Sequence, residues 1–182
     1  MSPIAGVWSL DAPLDPSSPL GAMEAGNGDL RVAAEARVDN RRDLLRALGL
    51  DHRAGEIGDA ELILRTYEAW GEQCPDRLIG DFAFVLWDRR AHKMLCARDR
   101  FGVRPLYYHY RPFELFAVGS EVSGLVTLPG VRRGIFPLPP GHVLAVGPGW
   151  ARRREYAGMD ELTREPSPRP VAPHAVVLNF HP

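Results

Sequence analysis

The sequence predicts an α+β fold built on antiparallel sheets. Segments with strand character dominate, two helices come early and as a pair, and the connections between strands resemble hairpins. A βαβ protein would instead alternate strands and helices along the whole chain. With 182 residues, of which 45% are hydrophobic, the chain has the size of one domain with a sizeable core.

The N-terminal region is predicted to open with a strand. Residues 4–10 have strand character, whereas residues 11–19 are rich in Pro, Ser and Asp and predict a loop. Residues 29–38 alternate between apolar and mostly polar positions, which is the period of a half-buried strand. The sequence Gly26-Asn27-Gly28-Asp29 at its start is typical of a hairpin turn.

Two helices are predicted after this strand. Asn40 is suited to cap a helix over residues 41–48, and Gly49 is suited to end it. Asp59 is predicted to be the N-cap of a second helix that runs to Gly71. Its apolar stripe consists of Leu62, Ile63, Tyr67 and Trp70. Residues 75–78 predict a short further helix or a turn.

The second half is predicted to consist mainly of strands. Residues 82–88 are apolar on both faces, which predicts a strand buried on both sides, with residues 93–98 as its neighbour. Further strands are predicted at residues 106–110, 115–119 and 141–146, and one or two helical turns at residues 121–126. Four prolines lie between residues 166 and 173, which predicts a flexible tail with at most a weak strand at residues 175–180.

Composition excludes several classes of function. The net charge of −1 gives no reason to expect nucleic acid or an anionic membrane as a partner, and the run Arg152-Arg153-Arg154 is interpreted as a solvated strand end. The absence of a membrane-length apolar run and of a leader favours a soluble cytoplasmic protein. Cys74 and Cys96 lack metal-ligand spacing and are interpreted as packing thiols, so we expect no metal or cofactor.

The most informative run is GDFAFVLWDRRAHKMLCARDRFGVRPLYY, at residues 80–108. Together with shorter segments, it resembles the N-terminal glutaminase domain of asparagine synthetases, a class II glutamine amidotransferase. The shorter segments are residues 4–8, 38–45, 58–64, 118–121 and 139–142. On this resemblance we expect an amidotransferase-like domain over residues 1–158 and a Pro-rich tail over residues 159–182.

The resemblance implies an N-terminal-nucleophile hydrolase fold, in which two antiparallel sheets form an αββα sandwich with helices outside. It also implies a reaction, the hydrolysis of the glutamine side-chain amide by an N-terminal cysteine. The ammonia then passes to a synthetase domain that adenylates a carboxylate with ATP. A thiol suits the role of nucleophile because its pKa is about 8.5. In the family, a backbone N–H and an asparagine amide stabilise the oxyanion that forms.

Three departures separate this chain from the family pattern. Ser2 stands at the position of the nucleophilic cysteine. The Asn-Gly-Glu segment that supplies an oxyanion donor aligns with Glu35-Ala36-Arg37, or in a shifted register with Ala33-Ala34-Glu35, and neither contains asparagine or glycine. Residues 11–29 are too few for the helix and the arginine-bearing strand expected there, so the fold is expected to be shortened near the N-terminus.

A few candidate site residues remain. Asp59 matches the aspartate that meets the substrate α-amine, although a helix N-cap is a sufficient explanation. Arg98 and Asp99 are interpreted as an ion pair or a pair that fixes a turn. The resemblance places them and Glu121 near the contact with the synthetase domain, so an interface role is the alternative.

Three hypotheses follow for the function. The first is a glutaminase-like scaffold or partner of an ATP-pyrophosphatase-type synthetase, as in the cysteine-less β-lactam synthetases and lasso-peptide macrolactam synthetases. The second is an amidohydrolase that uses Ser2, and the third is a truncated, non-functional fragment. The chain contains no Ser-Gly-Gly-rich pyrophosphate loop, so it is not expected to activate a carboxylate itself.

Overall fold

The computed structural model describes residues 4–9, 25–26, 28–131, 133–157 and 176–177. The predicted loop at residues 11–19, Ser2 and most of the Pro-rich tail lie outside these residues. None of the described helices has the length and apolar character that crossing a membrane requires.

Strands dominate the described part of the chain, as the sequence predicts. The strands are β1 (Ala5–Ser9), β2 (Ala25–Gly26), β3 (Leu30–Val38), β4 (Gly80–Asp88), β5 (Lys93–Arg98), β6 (Tyr107–Arg111), β7 (Leu115–Gly119), β8 (Phe136–Pro137), β9 (His142–Gly147), β10 (Trp150–Glu155) and β11 (Val176–Val177). The α-helices are α1 (Arg41–Ala47), α2 (Asp59–Trp70), α3 (Cys74–Arg77) and α4 (Val122–Val126), with 3-10 turns at Asp51–Arg53 and Gly71–Gln73.

These strands form two antiparallel sheets. The large sheet has the order β11-β10-β9-β5-β4-β3-β2, and the small sheet has the order β1-β7-β6-β8. The pairs β4–β5, β6–β7 and β9–β10 are antiparallel and joined by short connections, as expected for hairpin-rich α+β proteins. The predicted fold class is therefore confirmed.

Side-chain alternation along the central strands builds the layers. Val32 on β3 and Phe84 on β4 lie in the core under α1 and α2, whereas Val85 and Trp87 lie in the core between the two sheets. Helix α4 packs on the small sheet through the buried Leu125. Burying one such large apolar side chain contributes about 1.5–3 kcal/mol, so both faces of β4 stabilise the sandwich.

The two helix starts differ from their predicted capping. Asn40 is the N-cap residue of α1, but its side chain donates to the Arg77 carbonyl and accepts from the Ile79 N–H instead of capping the helix. The prediction that Asp59 caps α2 was wrong, because Gly58 is the N-cap and Asp59 is the first helical residue. Both side chains are used for long-range contacts that the local pattern does not reveal.

The arginine run also differs from its interpretation. Arg152 and Arg154 lie within β10 and bond to the carboxylates of Glu72 and Asp76, so they are not merely solvated. Lys93 on β5 donates to the same Glu72 at 2.8 Å. These charges attach the segment after α2 to the helix-facing side of the large sheet.

The Glu72 cluster generates a pH-dependent prediction. Burial of the Glu72 carboxylate raises its pKa, but hydrogen bonds from Lys93 and Arg152 outweigh burial and hold the pKa below its usual range. A lowered folded-state pKa stabilises the protein above the unfolded pKa of about 4.3, and this contribution is lost as the pH falls through the folded pKa. We therefore expect Glu72→Gln to lower the free energy of unfolding by about 1 kcal/mol at pH 7.

The difference between wild type and Glu72→Gln should shrink as the pH is lowered from about 6 to about 3. Urea unfolding across this range measures it. Glu155→Gln, which removes an exposed carboxylate from β10, is the control. A Glu72→Gln difference that stays constant with pH contradicts the assignment.

Candidate functional site at the loop end of the sandwich

One end of the sandwich brings together the segments that carry the family resemblance. Val38 at the end of β3 pairs with Gly80 at the start of β4, and Gly119 at the end of β7 pairs with both Ala5 and Tyr107. We call this region the loop end. It comprises residues 37–41, 58–59, 78–81, 99–106, 120–122 and 138–141.

The first described residue is fixed at the loop end. The Ile4 N–H donates to the buried Ser120 Oγ at 3.1 Å, and the Ser120 N–H donates to the Ile4 carbonyl at 2.9 Å. Ile4 itself lies in the core between the sheets. Ser2 lies outside the described residues, so its predicted catalytic role stays a prediction.

The end of β3, where an oxyanion donor is expected, carries charged side chains. Glu35 and Arg37 lie on the same face as the buried Ala33, which belongs to the core between the sheets. Arg37 forms ion pairs with Asp39 at 3.0 Å and with Asp81 at 3.1 Å. No side-chain amide occupies positions 33 to 37, in either alignment register.

A glycine is required where β4 starts beside this strand. Gly80 has a φ of 143°, and a Cβ atom at this position would lie 2.0 Å from the Arg37 carbonyl oxygen. Only glycine lacks the atom that would clash. This close backbone approach fixes the end of β3 against the start of β4.

The Asp59 carboxylate is occupied by groups of the protein itself. Its Oδ1 accepts from Arg41 Nη1 at 2.9 Å, and its Oδ2 accepts from the Val38 N–H at 3.3 Å. The Arg41 Nη2 group also donates to the Ala54 carbonyl at 3.2 Å. The sequence located Asp59 correctly at the start of α2 but did not identify Arg41 as its partner.

Arg98 and Asp99 organise the crossover loop, residues 99–106, which connects the large sheet to the small one. The Asp99 carboxylate, which is fully buried, accepts the N–H groups of Phe101, Val103 and Arg104, each at 3.0 Å. The Arg98 guanidinium donates to three carbonyl groups. These belong to Gly102, Arg104 and Leu138, at 2.7 to 2.8 Å.

The crossover loop presents apolar side chains to solvent. Phe101 is 62% exposed and Val103 is 53% exposed, although both backbone N–H groups are bonded to Asp99. Ile79 and Val122, elsewhere at the loop end, are exposed as well. The sequence analysis did not identify these residues as a candidate surface. An apolar pair between two arginines, in a loop that contains Gly and Pro, could have indicated exposed apolar side chains.

Glu121 lies at the N-cap position of α4 without capping it. Its carboxylate accepts from the Ser123 hydroxyl at 3.1 Å and is exposed. Helix α4 has only five residues, and Glu121 lies near its positive end. These contacts are local, so no binding role follows from them.

A surface cleft lies at the opposite end of β4. Tyr67, Asp88, Asp29 and Arg90 contribute to its lining. The Tyr67 hydroxyl donates to Asp88 at 2.8 Å, and burial together with this bond raises the pKa of Tyr67 well above its usual range. Asp29 pairs with Arg90, so these four polar side chains are paired with one another.

The side chains that commonly bind metals are not clustered at the loop end in the described part of the chain. No group of three or more His, Cys, Asp or Glu side chains is arranged there, or elsewhere in the described residues, to hold a metal ion. Cys74 and Cys96 are buried, and burial raises the pKa of both thiols above their usual range. Neither thiol is therefore poised as a nucleophile.

Comparison with known sequences identifies relatives of this domain. A family model described as a glutamine amidotransferase domain matches residues 15–127. The chain is 32% identical to a glutamine-hydrolyzing asparagine synthetase of Bacillus subtilis over 122 residues, which cover 67% of this chain and 19% of that protein. It is 34% identical to a glutamine-hydrolyzing asparagine synthetase of Triphysaria versicolor over 132 residues, which cover 71% of this chain and 22% of that protein.

Solved structures share the fold. Glutamine phosphoribosylpyrophosphate amidotransferase of B. subtilis superimposes with a TM-score of 0.57 and 19% identity, over 73% of this chain and 30% of that chain. A class-II glutamine aminotransferase domain protein of Silicibacter pomeroyi superimposes with a TM-score of 0.53 and 18% identity. The match covers 72% of this chain and 69% of that chain. At these identities the structures support the N-terminal-nucleophile sandwich alone. Together with the family match, they establish that the chain belongs to the class II glutamine amidotransferase domain family of the asparagine synthetase superfamily.

Proposed function

We propose that this domain does not hydrolyse glutamine and acts as the partner of an ATP-dependent amide or lactam synthetase. The chain spans about a fifth of the length of the curated relatives that it matches. We infer that the ATP-dependent step belongs to a separate synthetase domain or protein. Docking onto that synthetase is the role that remains for this domain.

The observation that carries the proposal is the crossover loop. Its backbone is bonded by Arg98 and Asp99, so Phe101 and Val103 are held outward in a defined geometry. An exposed apolar side chain gains about 1.5–3 kcal/mol when it is buried in an interface. Because the loop is already ordered, little conformational entropy is lost when a partner covers it.

The path of the chain supports a partner at this end. Tyr156 and Ala157 both donate their N–H groups to the Gly141 carbonyl. The ring of Pro140, the residue before, lies beside Gly102 in the crossover loop. Ala157 is therefore held near the crossover loop through Gly141 and Pro140.

The end of β3 opposes amide hydrolysis. An oxyanion-hole donor contributes about 3–4 kcal/mol to the transition state, and no side-chain amide is available at residues 33–37 to provide it. A carboxylate such as Glu35 at 4 Å from an oxyanion would cost about 4 kcal/mol at an effective dielectric constant of about 20. Both effects act against the tetrahedral intermediate.

The proposed function predicts first that glutamine is not hydrolysed. We expect no glutamate release from L-glutamine above that of buffer, and the same result for Ser2→Cys, because a better nucleophile does not replace the oxyanion donor. A coupled glutamate dehydrogenase assay measures the release. If wild type releases glutamate and Ser2→Ala does not, the domain is a Ser2 amidohydrolase and the proposal is wrong.

The second prediction concerns docking. Phe101→Ser combined with Val103→Ser should weaken binding to the ATP-pyrophosphatase-type synthetase of the same organism by about 2 kcal/mol or more, as for residues at an interface centre. Biolayer interferometry measures the dissociation constant. Phe113→Ser is the matched control, because Phe113 is equally exposed but lies in the β6–β7 turn at the opposite end. Equal loss in both variants counts against the loop as the docking surface.

The third prediction concerns the loop itself. Asp99→Asn replaces one carboxylate oxygen by an amide group that cannot accept, so at least one of the three N–H groups loses its bond. We expect a loss of about 2–3 kcal/mol of stability and a fall of roughly 5–10 °C in Tm. Differential scanning calorimetry measures it, with the exposed Asp39→Asn as control. An unchanged Tm would show that the carboxylate does not hold the loop.

A further inference from the structure

Arg41 lies where helix electrostatics oppose a cation. It is the first residue of α1, and the N-terminus of a helix carries a partial positive charge. The side chain nevertheless turns to the start of α2, where it bonds to the Asp59 carboxylate and the Ala54 carbonyl. These two acceptors, and not the helix, explain the position of the guanidinium.

The two acceptors form a small cation site that solvent can reach. The Asp59 and Arg41 side chains are 30% and 27% exposed. The Val38 N–H holds one oxygen of the carboxylate, so the other oxygen faces Arg41. An ammonium group needs the same kind of acceptors, a carboxylate oxygen and a backbone carbonyl.

We propose that Arg41 is a built-in occupant of this cation site and excludes the ammonium group of a free amino acid from Asp59. The inference rests on the proposed function, because it gives a reason why this member of the amidotransferase family does not hydrolyse glutamine. Arg41 is then a specificity-determining residue that acts by occupancy. Its removal should leave the Asp59 carboxylate and the Ala54 carbonyl open to small organic cations.

The experiment is a ligand-observed NMR titration with L-glutamine and with methylammonium as separate probes. Arg41→Ala opens the site, and Arg41→Met removes the cation while it keeps most of the aliphatic stem and so protects folding. Arg37→Ala is the matched control, because it removes another paired arginine of the loop end without opening Asp59. The double variant Arg41→Ala with Asp59→Asn tests the carboxylate.

We expect both Arg41 variants to bind methylammonium and L-glutamine at least about tenfold more tightly than wild type, the factor for one regained charge-assisted hydrogen bond. Arg37→Ala should behave as wild type, and the double variant should lose the gain. If the Arg41 variants bind methylammonium more tightly but L-glutamine no more tightly than wild type, the cation site is supported. The claim that Arg41 excludes free amino acids is then overturned. The inference is overturned if neither folded Arg41 variant binds more tightly than Arg37→Ala, and this result leaves the absence of hydrolysis to be judged by the glutamate assay.

Discussion

The join between the two sheets depends on the buried carboxylate of Asp99, whose hydrogen bonds within the described residues come from neutral backbone N–H groups of its own loop. Asp99 follows the last residue of β5, and its three N–H partners shape the chain that crosses to β6. Burying a carboxylate without hydrogen bonds would cost much free energy. The carboxylate can therefore be buried here only when the loop folds so that its N–H groups bond to it. The Asp99 carbonyl also accepts the Gly141 N–H, which ties the start of β9 to the same point.

The main layers of this fold can be predicted because they follow from local alternation. The apolar side of β3 and the two apolar faces of β4 assign each residue to a core before any contact is known. Strands β2 and β8 have two residues each and are defined by their partners, so no local pattern reveals them. Strand β10 carries three arginines, and two of them are neutralised by residues about 80 positions earlier.

The candidate site was predictable in position and less so in chemistry. Asp59 is at the start of α2 as the sequence indicates, but its partner Arg41 belongs to another helix and is 18 positions away. Arg98 and Asp99 are adjacent and of opposite charge, which suggests an ion pair. In the structure they bond to opposite kinds of backbone group, the carbonyls and the N–H groups of one loop, a division that depends on how the loop folds back.

At the loop end, paired charged side chains occur together with exposed apolar side chains. This combination favours a macromolecular partner over a small polar substrate. Arg41 is already paired with Asp59, and Arg37 with Asp39 and Asp81, so these charges have little left to offer a ligand. The apolar side chains of the crossover loop, in contrast, are held in place by the loop backbone and remain exposed to water. A polar amino acid cannot relieve that exposure, whereas a protein surface of matching shape can. The sandwich therefore combines, at one end, already paired charged groups with apolar side chains that remain exposed.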